Sequence, residues 1–386
     1  MSEFQCYKFK TIDRPLTESE RKEVNALSSR GEVSANSATF LYHYSDFRHK
    51  PEHVLEKYFD AMLYFTNWGT KRLMFRLPAK LTDAKGIKPY LFGRDRSESY
   101  IELVPKGEFY LLDIELNEEE GGGWMEEEDF DLGDLTPLRD DILNGDYRAL
   151  YLAWAKFSQP FEDEEDEDFD EEDEDETDLP PPTPPVPANL KRMSAALKAF
   201  TNFFEIDKDL VSAAQAASPE TAATEVNYEN LLRQLPENER LDWLSRLLKG
   251  EARLEMTLKK RLEKLLPAAL PPALPSLSPG QLRTLSAEKE KERKAREEAE
   301  ARAAHEKRMR QLAGQEETLW KSVQFNIQQQ TGKAYELATE MLKDLKDLAA
   351  FQGKAVAFQA RLMELREKYA RSRALIGRWE QAGLFR

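Results

Sequence analysis

The chain predicts an α+β domain, a mixed sheet with helices, joined by a disordered acidic and proline-rich linker to an all-α helical C-terminal half. Three observations carry this. Alternating and amphipathic runs mix up to about residue 157; residues 162–178 hold fifteen acidic side chains and no basic one, then run into Leu179–Pro187, rich in proline; beyond that the apolar spacing is helical. The chain has 386 residues, is 33% charged and 40% hydrophobic, and carries a formal charge of −16. Nearly all of that charge sits in the acidic run, so the folded parts are close to neutral.

Within 1–157, Phe4–Lys10 reads as a strand with Tyr7 and Phe9 on one face and Lys8 and Lys10 on the other. Thr17 with Glu20 three positions on is a capping box ahead of Val24 and Leu27. Val33–Tyr44 is strand-like. Pro51 opens a helix whose stripe Val54, Leu55, Tyr58, Phe59, Met62 and Leu63 extends it to residue 63. Lys71–Leu77 alternates, and Tyr100–Val104 with Glu108–Leu116 flank Pro105-Lys106-Gly107 as a hairpin. Helices are expected mostly on one face of this sheet, and a helix pair around Gly145 closes the domain.

Residues 158–188 form the expected linker, since like charges repel and prolines favour an extended spacer. Helices follow over 189–266 and stop at Pro267; a proline-rich linker spans 267–285. Residues 286–315 predict a charged single helix. Glu290–Lys294, Glu292–Arg296, Glu298–Arg302 and Glu306–Arg310 are i, i+4 pairs in the favoured order, while mainly alanine stands where a coiled coil would need large apolar residues. Residues 316–386 read as an array of helical hairpins with joints near Gly332 and Gly353.

Tyr335-Glu-Leu-Ala338, Leu342-Lys-Asp-Leu345, Leu348, Phe358, Leu362, Leu365-Arg366, Tyr369 and Ala382-Gly-Leu384 resemble the helical C-terminal region of bacterial SWIM zinc-finger proteins, and more generally tetratricopeptide-like helical hairpins. The resemblance implies a protein-binding helical array. It does not extend to zinc. A SWIM finger needs Cys-x-Cys and Cys-x-His, and this chain has Cys6 alone; nor is the tetratricopeptide signature met.

One cysteine excludes an internal disulfide scaffold and suits a reducing compartment. With no signal-peptide pattern and no apolar run of about 18 residues, a bacterial cytoplasmic protein without membrane contact is expected. No phosphate-cradling glycine loop or nucleophile elbow occurs; Gly121–Gly123 is flanked by glutamates. Catalytic, cofactor and metal residues are therefore expected to be absent.

Three weaker constellations remain. His43, His49 and His53, with Asp46 and Glu52, offer metal-ligand types for a metal-dependent hydrolase, but Pro51 separates His49 from His53. Asp113 and Glu115 share a strand face beside the acidic stretch Glu126–Asp134, a hard-cation pattern without the Ca-loop order. Lys8, Lys10, Arg72 and Arg76 would point to one sheet face near Tyr7, Tyr42 and Trp68, a surface for nucleic acid masked by the acidic run. The favoured expectation is a non-catalytic protein–protein adaptor that binds other proteins through its helical half, with Trp243, Trp320, Tyr335 and Trp379 as anchors.

Overall fold

The structure is a computed structural model that describes residues 3–93, 97–118, 126–159, 183–221, 227–266 and 274–385. The acidic run 162–178, the glycine run 121–123 and the stretch 267–273 lie outside the described residues. The chain divides into two compact units, Met1–Glu290 and Lys291–Arg386.

The first unit is built on seven strands: β1 (Phe4–Lys10), β2 (Gly31–Val33), β3 (Ser37–His43), β4 (Ala61–Thr66), β5 (Lys71–Pro78), β6 (Tyr100–Lys106) and β7 (Phe109–Leu116). Their order is β2-β3-β1-β4-β5-β7-β6, and every adjacent pair is antiparallel where a mixed sheet was expected. The second correction is β4. The run Ala61–Thr66 continues the apolar spacing of the preceding helix but is a central strand, buried on both faces, for which apolar period cannot separate helix from strand. That helix, α2 (Pro51–Tyr58), stops at Tyr58, and the Asp60 amide already donates to the Lys10 carbonyl at 2.9 Å.

Helices cover both faces of the sheet rather than mostly one. On the first face, α1 (Glu18–Asn25) and α2 bring Val24, Val54, Leu55 and Tyr58 onto Tyr7, Phe9, Phe40, Met62 and Met74. The capping box of α1 forms as spaced: the Glu20 amide donates to the Thr17 hydroxyl at 3.2 Å and the Thr17 amide to the Glu20 carboxylate at 2.7 Å. The opposite face, with Leu63, Leu73, Phe75 and Ile114, is covered by three short helices, α3 (Ala84–Ile87), α4 (Leu132–Leu135) and α5 (Pro137–Leu143), and by α6 (Arg148–Phe157), α7 (Ala195–Phe203) and α8 (Lys208–Ala217). Gly107 makes the β6–β7 turn at φ 63°, and Gly69, at φ 104°, lies so close to the Glu118 carbonyl that a Cβ would collide with it.

Residues 183–188, expected as linker, are packed. Val186 is fully buried in the same core as Trp154 and Phe200; its amide donates to the Pro275 carbonyl at 2.7 Å, and the Tyr90 hydroxyl donates to the Pro185 carbonyl at 3.1 Å. No core boundary falls at 188, because α7 and α8 bury Leu197, Phe200, Phe203 and Leu210 against the sheet. Local composition sees the prolines; it does not see a tertiary slot for the one valine among them.

Next come α9 (Tyr228–Gln234), α10 (Glu237–Leu248) and α11 (Leu254–Glu263), around a small cluster of Leu231, Leu235 and Leu262. The long α12 (Pro279–Leu312) starts earlier than expected, with Leu282 in the core of the first unit. Along it Glu306–Arg310 pairs at 3.3 Å, but Arg302 turns its Nε to the Glu298 carbonyl, and Arg293–Glu297 pairs at 3.2 Å in the opposite order. The second unit adds α13 (Glu316–Gln328), α14 (Gly332–Phe351), α15 (Ala355–Lys368) and α16 (Arg373–Gln381), packed on Trp320, Leu342, Leu345, Leu362 and Trp379.

Candidate functional site

The four cations expected on one sheet face are on two. Lys8 registers with Leu63, which registers with Leu73, so Lys8 and Lys10 lie on the face of Leu73 and Phe75; Arg72 and Arg76 lie with Tyr7 and Phe9 on the other. Because the sheet is buried on both sides, apolar residues do not mark which face of β1 points inward. Three of the four, Lys8, Arg72 and Arg76, also have an internal task. Lys8 Nζ donates to the carbonyls of Glu127 and Phe130, both at 2.6 Å. Arg76 donates to Asp60 at 2.7 Å, within a network in which Arg139, fully buried, grips Asp13 through both terminal nitrogens at 2.9 Å.

Arg72 is the centre of the densest charged cluster. Its guanidinium donates to Asp113 through Nε at 2.8 Å and Nη2 at 2.6 Å, lies 2.7 Å from Glu52 and 3.0 Å from Glu115, and the Tyr100 hydroxyl donates to Glu115 at 2.5 Å. The sheet builds this: register sets Arg72 opposite Glu115 on β7, Glu115 opposite Tyr100 on β6, and Pro51 starts α2 so that Glu52 leans over them. Burial raises the Asp113 carboxyl above its ordinary range, and Arg72 only partly offsets it. Burial opposes the charge on Arg72, but its bonds to Asp113 outweigh that and hold it protonated. Glu52, also desolvated, is held below its usual range by Arg72. A cation already saturated by three carboxylates has no valence left for an incoming anion. The cluster is a clamp joining α2 to the far half of the sheet.

His43, His49 and His53 are all exposed; His43 packs its ring 5.5 Å from Phe4 and His49 lies 5.6 Å from Phe47. His49 precedes α2 and His53 sits within it, so they do not share a helical turn. Among the described residues no three His, Cys, Asp or Glu side chains converge to hold a metal ion, and no helix among them is long and apolar enough to cross a membrane.

Cys6 is buried on β1, and burial foremost pushes its thiol up to about 12 from an ordinary 9.0, with Lys8 pulling the other way. Native protein at neutral pH should resist iodoacetamide and react fully once unfolded, as read by mass spectrometry. Because the folded value is the higher one, the stability Cys6 contributes is complete below pH 9 and declines as pH rises toward 12.

The aromatic anchors divide. Trp320 and Trp379 are buried in the core of the second unit and present no ring to a partner. Tyr335 is half-buried, accepting from the Ser372 hydroxyl at 3.3 Å. Trp243 faces inward from α10 onto the Leu231–Leu262 cluster, with the Arg246 guanidinium 4.2 Å over its ring. By turning Trp243 inward, and through the Glu239–Arg261 ion pair at 2.9 Å, α10 turns its other side outward. That side carries Leu241, Leu244, Leu247 and Leu248, exposed by 60, 56, 62 and 89%. Leu241, Leu244 and Leu248, at i, i+3 and i+7, lie on one helical stripe, with Leu247 one turn beyond Leu244 at its edge, and no residue of α10 is buried. Scattered exposed leucines need no explanation; a contiguous apolar patch calls for one. In sequence this stripe is indistinguishable from a core-facing one.

Comparison of the chain with protein-family models, with curated proteins and with solved structures gave no match.

Proposed function

We infer that the chain is a non-catalytic adaptor of bacterial type that binds protein partners through its helical half, with the leucine face of α10 as its contact surface. The observation that carries this reading is the outward stripe Leu241–Leu244–Leu248 with Leu247 beside it, on a helix fastened to its own neighbours by Trp243. Apolar area of this kind is removed from water when another surface covers it, at about 25 cal/mol per Å². The resemblance of residues 335–384 to helical arrays points the same way. Lys8 and Lys10 lie on one sheet face and Arg72 and Arg76 on the other, so the four do not form the single surface that nucleic-acid binding would need.

The test compares immobilised full-length chain with Leu244→Glu/Leu248→Lys. Glutamate four residues before lysine is the favoured helical pair, and lysine suits the helix C-terminus, so the exchange keeps α10 helical. Wild-type chain is expected to retain host proteins through a high-salt wash and the variant to lose them. Retention that vanishes with salt in both, together with binding to heparin, contradicts the reading.

A further inference from the structure

We propose that α9–α11 form an arm that is held on the first unit by a releasable ionic latch, Arg253 on Asp13 and Asp140, and that the arm swings away as one body while the sheet stays folded. The arm has its own centre, Leu231, Leu235 and Leu262, apart from the main core. Of its apolar side chains, among the described residues, Met256 packs against the main core, with the buried Leu254 two positions before it. The chain is anchored on either side, since α8 puts Leu210 and α12 puts Leu282 into that core. What fastens the arm is polar. Arg253 donates through Nε to Asp13 and through Nη1 to Asp140, and Lys260 Nζ donates to the Leu81 carbonyl. Arg253 does so from φ 56°, just ahead of α11, a left-handed backbone that a long side chain rarely adopts and that persists only where contacts enforce it.

Opening this latch strands no buried charge. Burial pushes the Asp13 carboxyl up, but Arg139, and after it Arg253, bring it below its ordinary range. With Arg253 gone, Asp13 keeps both Arg139 bonds at 2.9 Å, and the Asp140 side chain, 48% exposed, meets water at once. Arg253 regains water and a relaxed φ, and Lys260, which burial holds below its ordinary range, regains its hydration. The Arg72 clamp is the contrast: parting it leaves Asp113 buried without its cation. Of these two ionic ties, the one at Arg253 can open and close. Trp243 and the Glu239–Arg261 pair make α10 travel with the arm.

The test places spin labels at two exposed positions of the full chain, Glu32→Cys on β2 and Glu263→Cys at the end of α11, and reads their separation by pulsed electron paramagnetic resonance; buried Cys6 takes no label. With Arg253 present, a narrow distance with a minor broad component is expected. Arg253→Asn should raise the ratio of broad to narrow by roughly tenfold or more, the worth of hydrogen bonds between charged groups. Asparagine tolerates the left-handed φ, so the exchange removes the latch without adding strain. Asp140→Asn, which leaves the bond to Asp13, should fall between the two. Hydrogen exchange over Ala61–Thr66 and Lys71–Pro78 should stay as slow in the variants as in the parent chain. The same distance distribution with and without Arg253, narrow or broad, overturns the latch. Loss of sheet protection together with the broadening overturns the arm as a separate body.

Discussion

Arg72→Met should destabilise the first unit by about 3–5 kcal/mol at neutral pH, the usual cost of removing one partner from a buried ionic cluster. Methionine replaces the length of the side chain but none of its charge, leaving Glu52, Asp113 and Glu115 facing one another, with the Asp113 side chain only 5% exposed. The pH dependence fixes the cause. Asp113 already titrates above its ordinary 3.8 in the folded chain, and without the guanidinium it rises further. A raised carboxyl favours the folded state fully below its unfolded value and less as pH climbs past it, so the deficit should be greatest at neutral pH and narrow toward pH 4. Urea unfolding at the two pH values reads this directly. Adding Asp113→Asn to Arg72→Met should recover part of the loss, because the worst-solvated charge is then gone. A deficit independent of pH would mean that packing, not charge, had been lost.

Trp379→Ala should cost the second unit about 3–5 kcal/mol, as large aromatic truncations in cores do. Its ring is fully buried beside Leu375 and lies 6.0 Å from Phe385. Its Nε1 has no hydrogen-bond partner among the described residues, so Trp379→Phe should be much milder: it discards an unmet donor along with some volume. Hydrogen exchange should show the alanine variant loosening amides over 316–381. If the alanine variant instead kept full protection and lost only binding, Trp379 would be a surface anchor after all.

What was legible in the chain was what local chemistry decides. Thr17 and Glu20 cap α1 because a hydroxyl and a carboxylate three residues apart each accept from the other residue's backbone amide, and Gly107 turns the β6–β7 hairpin because it tolerates positive φ. Three features were not legible, each for a global reason. Ala61–Thr66 is buried on both faces, which erases the alternation that would mark a strand. Lys8 and Arg72 part because the pairing register, not the composition of either strand, assigns faces. Val186 is buried in one core with Tyr90, Trp154 and other residues distant in sequence, which a proline-rich context hides. The leucines of α10 are the converse: they carry the pattern of a core, and only the three-dimensional arrangement shows that nothing in the described residues covers them.

The most direct measurement is therefore thermal unfolding of Leu244→Glu/Leu248→Lys at high dilution, beside the wild-type chain. If these leucines serve only contacts with other molecules, the two midpoints should agree within about 0.5 kcal/mol of stability, the range of ordinary surface substitutions. A variant that melts several kcal/mol earlier, as core leucines would demand, contradicts the claim that this face is built for an external surface.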